Sequence, residues 1–446
     1  MNISFPRSRI LCVLATLSIQ LSASSAEPAS LDFGPMLGHV GPTETRIWVK
    51  AAAKPDGKDT AKRNVAIRYS TRPDLSDGRT VRGRPLEGPE FLGQINLTGL
   101  KPATRYYYSV RVDGEAVTAN PPRSFQTSPA DGTRGQFRFA FISCLGRKGS
   151  DAAAAWGDLA ARTPIDLLLF LGDNHYADTT EPAKQRTAYY EHRSAAGFRD
   201  ISGRVPSYAI WDDHDFGPNN SDSTSAGREI SFQTFKEFWA NPGFGQRDDP
   251  GVYFKFTRGD VDFFMLDVRY HRSPNVAPDG ENKTMLGAAQ LVWLKRELLA
   301  SKATIKFLAS GSEWQSNGSD DSWSRFNRER MDLLNFIQDK GIKGVILLSG
   351  DRHFTATYQV LGKFVEVTSG PFGSLNSTRS QPTAEAFYFQ NTGKLYCVFD
   401  VDTTGVEPKI TLEVYRAAEG LIQKGEFTWN EILGVTKIPS LAPGGN

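Results

Sequence analysis

The chain has 446 residues, 39% hydrophobic, 23% charged and 11% aromatic, which excludes a disordered or fibrous protein and is long enough for two domains. Its formal charge is +2, carried in part by Arg7 and Arg9 in an acid-free amino-terminal stretch. Without that stretch the chain is neutral, so charge gives no argument for a nucleic acid or an anionic membrane as partner.

Residues 1–26 read as a secretory signal peptide: a basic start at Arg7 and Arg9, an apolar core over residues 10–19, and the small residues Ser24-Ser25-Ala26 at a cleavage site. That core is short against the roughly 20 apolar residues that cross a bilayer, and no later segment is long enough, so the expectation is a periplasmic or secreted protein without a membrane anchor. Cys12 leaves with the leader, and Cys144 and Cys397 remain.

Residues 28–132 alternate apolar and polar positions in short runs, such as Arg46-Ile47-Trp48-Val49 and Tyr106-Tyr107-Tyr108-Ser109-Val110, separated by glycine and proline. This spacing predicts an all-β sandwich. The turn Leu100-Lys101-Pro102-Ala103-Thr104-Arg105-Tyr106 resembles the tyrosine corner of fibronectin type III and immunoglobulin-like sandwiches. Pro121-Pro122 and residues 127–135 supply a linker.

From residue 136 to about 430 strands and helices alternate. Apolar runs predict strands at 137–143, 167–171, 208–211, 263–268, 305–309 and 345–349; helical periodicity appears at 152–162, 230–239, 288–299 and 324–340, with Gly341 as a stop. Residues 395–415 return to strand pattern around a turn at 402–405, and residues 178–204 and 217–227 are expected as loops around a site.

Four strand ends carry clustered polar residues: Ser143-Cys144, Gly172-Asp173-Asn174-His175-Tyr176, Trp211-Asp212-Asp213-His214-Asp215, and Gly350-Asp351-Arg352-His353. The carboxyl edge of such a sheet is where ligands gather, and neighbouring carboxylates repel unless a cation neutralises them. Cys144 competes between a metal-ligand role and a disulfide with Cys397. His39 and His192, in a strand region and a charged loop, read as structural, as does His271.

These motifs, with Leu266-Asp267-Val268-Arg269-Tyr270 and Asn219-Asn220, together resemble the alkaline phosphatase D (PhoD-like) family of metallophosphatases in order and spacing. The resemblance implies a four-layer α/β/β/α metallophosphoesterase sandwich preceded by a small fibronectin/Ig-like domain. It also implies iron and calcium. Carried onto this sequence, it makes Asp173 a carboxylate shared between metals, with Cys144, Tyr176 and His353 completing a first site, while Asp213, Asp351 and Asn219 or Asn220 form a second. A thiolate and a phenolate suit Fe3+, and an oxygen-rich set suits Ca2+.

The implied reaction is hydrolysis of phosphomonoesters or phosphodiesters by a metal-activated hydroxide. Among the remaining residues, His214 is the expected group at the leaving oxygen, oriented by Asp215. Arg269 is the expected phosphate clamp, with Arg352 as a weaker candidate. Two positions depart from the family pattern: Asp215 stands where Glu is frequent, and His175 fills a variable position. Glu313 is expected to support the site from behind. The competing readings are a phospholipase D-like phosphodiesterase and a non-catalytic exported protein that binds metal or carbohydrate.

Overall fold

The computed structural model describes Met1 and residues 30–53, 62–88, 90–117, 122–162, 164–315, 319–378 and 380–439; apart from Met1, the expected leader lies outside the described residues. In the amino-terminal part, period-two burial forms the expected strands, as in Val65–Ser70 and Arg105–Val112, where alternate side chains face inward. Leu31–Val40, Glu44–Ala51 and Leu92–Thr98 pair as one sheet. Arg79–Arg82, Val65–Ser70, Arg105–Val112 and Glu115–Ala116 form another, with Arg123–Gln126 on the same central strand. Leu37, Ile47 and Val49 from the first sheet share a core with Ile67, Tyr108 and Val110 from the second. At the turn before Arg105–Val112, the Tyr106 hydroxyl accepts a hydrogen bond of 3.0 Å from the Lys101 backbone N–H.

The remainder is a mixed α/β body built on two larger sheets. One runs Ser207–Ile210, Leu167–Leu171, Gln136–Ile142, Leu395–Asp402, Lys409–Arg416, Gly420–Phe427. The other runs Phe254–Arg258, Val261–Met265, Ile305–Ala309, Val345–Ser349, Phe364–Thr368, Thr355–Val360, Ala386–Gln390. Every residue of Leu167–Leu171, Ile305–Ala309 and Val345–Ser349 is buried, as parallel strands covered on both faces require. Facing side chains alternate: Phe139 points at Phe263, Phe307 and Phe399, with ring centroids 5.3, 4.9 and 5.3 Å away, and joins the two sheets. On the outer faces Phe170 meets Trp156 of the helix Ala153–Ala161. Phe264 and Leu308 share a core with Leu294 and Leu298 of Ala288–Ala300 and with Leu333 and Leu334 of Asn327–Asp339. Helices thus pack against both large sheets.

Most expected elements are present within a few residues of their sequence positions, but residues 178–204 are not a loop. They contain the helices Pro182–Ser194 and Ala196–Ser202, and His192 is a buried helical residue. The first helix hides because the face it buries is Gln185, Ala188, Tyr189, His192 and Arg193, which gives no apolar stripe to read. The amino-terminal sheets also pack on the body. Trp48 is fully buried in the body's own core and donates its indole N–H to the Glu237 carbonyl at 2.7 Å, while Tyr108 donates to the Gly203 carbonyl at 2.7 Å.

Candidate metal centre

Parallel pairing of Gln136–Ile142, Leu167–Leu171 and Ser207–Ile210 brings their carboxyl ends to one edge. Parallel pairing of Val261–Met265, Ile305–Ala309 and Val345–Ser349 does the same in the other sheet. The two edges meet closely: a Cβ on Gly350 would fall 2.7 Å from Ser143 Cβ and 2.8 Å from the Leu171 carbonyl, so glycine is what allows the contact. Gly172 turns the chain with φ of +95° directly beneath Asp212.

The residues at these ends are strained. Among the described residues twelve non-glycine positions have left-handed φ, and six of them are Cys144, Asp173, Asp178, Asn220, Asp351 and His353. Such backbone costs roughly 1–3 kcal/mol per residue and persists where surrounding structure and function demand it.

This strain brings the expected first set together. Ligand atoms of Cys144, Asp173 and His353 lie within 4.8 Å of one another. The Tyr176 hydroxyl is 2.9 Å from Asp173 Oδ2 and 2.8 Å from His353 Nε2. Asp173 also groups, within the same limit, with Asp213 and His214, which places it between two sets of donors. Asp351 groups instead with Asp212 and Asp321.

Burial drives Asp173 and Asp351 well above the usual carboxylate range, reinforced at Asp173 by Cys144 and Asp213 and at Asp351 by Asp212. Burial likewise lifts Cys144 to about 12, raises Tyr176 and lowers His353. Asp213 differs: against its burial, Arg269 and His214 hold it down at about 2. Asp173 Oδ1 is buried with no hydrogen-bond partner, and so is Asp212 Oδ2. A fully desolvated carboxylate oxygen costs free energy unless something cationic or donating meets it. Thiol, phenol, imidazole and carboxylate donors converging on unmatched oxygens fit cations, and binding would hold the thiol and phenol as anions.

Cys144 and Cys397 are both free and buried, so the disulfide alternative is not formed. Asn220 reaches the cluster only through its backbone N–H, which donates to Asp213 Oδ2 at 2.7 Å; Asn219 is exposed. His175 is fully buried against Tyr189, and His271 binds the Pro250 carbonyl at 2.8 Å. Arg352 pairs with buried Glu313 at 3.0 Å.

Two expected roles are corrected. Arg269 is not available as a phosphate clamp: it has no exposed surface, and its guanidinium is held by Asp212 at 2.5 Å and by Asp321. Asp215 does not orient His214. It accepts from the backbone N–H of Asp212 and from the Asn174 side chain, while His214 Nδ1 is bonded to Asp178. Asp178 and Asp321 were thus missed as candidate sites. Asp178, two residues after Tyr176, was within reach of the motif; Asp321 follows Asp320 in a glycine- and serine-rich segment with no local pattern to mark it.

The chain is similar over 89% of its length to the solved structure of PhoD, covering 92% of that chain with a TM-score of 0.71 at 21% identity. It is similar to the purple acid phosphatase PPD1 from yellow lupin over 92% of its length and 77% of that chain, with a TM-score of 0.65 at 14% identity. The class is therefore the mixed α/β fold that these two structures share. The PhoD-like phosphatase profile matches residues 139–396, and the chain belongs to that family. A domain of unknown function (DUF7800) matches residues 28–130. Alkaline phosphatase D of Bacillus subtilis (strain 168) is 25% identical over 384 residues, 74% of this chain and 65% of that protein. Purple acid phosphatase 23 of Arabidopsis thaliana is 26% identical over 226 residues, 47% of this chain and 44% of the relative, so the chain spans less than two thirds of either relative's length.

Proposed function

We propose that this protein is an exported, metal-dependent phosphoesterase that hydrolyses phosphomonoesters, phosphodiesters or both. The observation that carries the reading is Asp173, buried between two groups of donors with Oδ1 unmatched. In this reading the body from 136 to 430 is a four-layer metallophosphoesterase sandwich. Residues 28–132 form a fibronectin/Ig-like unit, supported by the Tyr106 hydroxyl on its upstream backbone. Export rests on the leader pattern of residues 1–26. Among the described residues no helix is long and apolar enough to cross a membrane.

Cys144, Asp173, Tyr176 and His353 would hold Fe3+, and the oxygen donors Asp213, which groups with Asp173, and Asp351, which groups with Asp212 and Asp321, would favour Ca2+. Bound cations would supply an acidified water and offset charge on the phosphoryl oxygens. The protein's own part is to hold and move protons. Asp178 accepts the Nδ1 proton of His214, and the imidazole rests on the Tyr176 ring with centroids 4.1 Å apart. That arrangement leaves Nε2 as the atom that exchanges a proton with the ester oxygen. The intact donor set opposes a purely binding role.

The test is turnover of p-nitrophenyl phosphate and bis-p-nitrophenyl phosphate by the full chain, with metal content and visible spectrum recorded. Wild type is expected to turn over at least one substrate and to show a tyrosinate-to-iron band. Asp173→Ala should lose at least the roughly 100-fold that damage to a metal site's support costs. Activity that survives this change refutes the metal centre, and active protein without iron or the band refutes the assignment of Fe3+.

A further inference from the structure

A cluster so rich in carboxylates must admit a phosphate ester, itself an anion, so the cations that face solvent beside it matter. Arg269 is enclosed and Arg352 is paired with Glu313, its side chain 22% exposed. Arg147 is different. Its side chain is 70% exposed, yet its Nη1 sits 3.1 Å from Asp178 Oδ2, and its guanidinium lies 5.9 Å from the centre of the Tyr176 ring. Asp178 is the residue that holds His214, and Tyr176 touches Asp173 and His353. Arg147 therefore stands at the solvent side of the donor cluster, one residue away from each of its two halves.

The backbone that presents it is pinned on both sides. Leu145 N–H donates to the Asp173 carbonyl at 3.0 Å, His192 Nε2 meets the Gly146 carbonyl at 3.0 Å, and Lys148 N–H donates to Asp151 at 2.9 Å. A guanidinium on a fixed backbone, steered by one carboxylate and one ring face, loses little freedom when an anion arrives and can grip two oxygens at once.

We propose that Arg147 is a substrate-binding and specificity-determining residue, contacting the phosphoryl oxygens at the open side and favouring the dianionic phosphate of a monoester over the monoanionic phosphate of a diester. The inference rests on the phosphoesterase reading. At pH 8 a phosphomonoester has lost its second proton, whose pKa is about 6, and carries two charges where a diester carries one. A cation at the mouth then helps the monoester more.

The experiment compares Arg147→Gln and Arg147→Lys with wild type in full-length, metal-loaded protein at pH 8. It measures kcat and KM for p-nitrophenyl phosphate and bis-p-nitrophenyl phosphate, and inhibition by inorganic phosphate. Arg147→Gln should lower kcat/KM for the monoester about tenfold, mainly through KM, the scale of one charge-assisted contact. It should weaken phosphate inhibition in parallel and lower the diester value about threefold or less, with Arg147→Lys in between. Equal losses on both substrates, or unchanged phosphate inhibition, would overturn the proposal while leaving the phosphoesterase reading intact. A metal-loaded wild type inactive on both substrates would overturn both. The residue is exposed, so the variants are expected to fold, and an unchanged melting temperature verifies it.

Discussion

Replacing Arg269 by Met separates a buried structural arginine from a phosphate clamp. The guanidinium has no exposed surface, and its two carboxylate partners are 0% and 6% exposed at their side chains. Asp321 also receives Arg272 at 2.8 Å, so it keeps a direct partner after the change, whereas Asp212, beside Asp213 and Asp351, loses the guanidinium it is bonded to and keeps only the longer-range attraction of Arg272. Removing one partner of a buried ion network costs about 3–5 kcal/mol, because the remaining charge stays desolvated and uncompensated. With an unfolding entropy of ~2.1 cal/mol/K per residue over a body of roughly 300 residues, that loss lowers its melting temperature by about 5–8 °C. Calorimetry under a fixed excess of iron and calcium keeps metal linkage from dominating the comparison. Phosphate-ester kinetics on the same samples complete the assay. A variant that melts within about 1 °C of wild type but needs tenfold more substrate would show that Arg269 grips phosphate and would refute its structural role.

Two further outcomes follow from the same geometry. Burial raises Asp215 to about 8, so in metal-free protein the folded state holds a proton that the unfolded state has released. Stability should therefore fall as pH rises from about 4 to about 8, and Asp215→Asn should flatten that part of the urea-midpoint profile; parallel slopes in the two proteins would refute it. Gly172→Ala should destabilise the site end of its strand by at least about 1–3 kcal/mol, because the residue has φ of +95° and the added methyl would lie 2.5 Å from Asp212 Cβ and 2.7 Å from its backbone nitrogen. Iron content should fall with it, and a variant of unchanged stability and metal content would contradict that packing.

Much of the body was legible in the chain because its signals are local. An unbroken apolar run such as Leu167–Leu171 identifies a doubly covered strand wherever it sits, and the residues that follow it must emerge at the sheet edge. Cys144, Asp173, Tyr176 and His353 were marked in this way, by strand ends and by their resemblance to one family, and the folded chain gathers all four. The helix Pro182–Ser194 was not legible, because periodicity reads apolar residues and this helix buries glutamine, histidine and arginine.

Partner choice among charged side chains was likewise decided only by the tertiary structure. Asp215 lies next to His214 in sequence, yet one turn of helix points it toward Asn174, and the more distant Asp178 takes the imidazole. Arg269 looked free to meet phosphate until Asp321, 52 residues away in sequence, closed over it. Hydrophobic burial is set by composition along each element, whereas an ion pair depends on which two elements meet and whether water reaches them. The sequence by itself determined the strands, the donor types and the edge on which they collect; the tertiary structure alone determined which arginine is enclosed, Arg269, and which, Arg147, is left facing solvent beside the cluster.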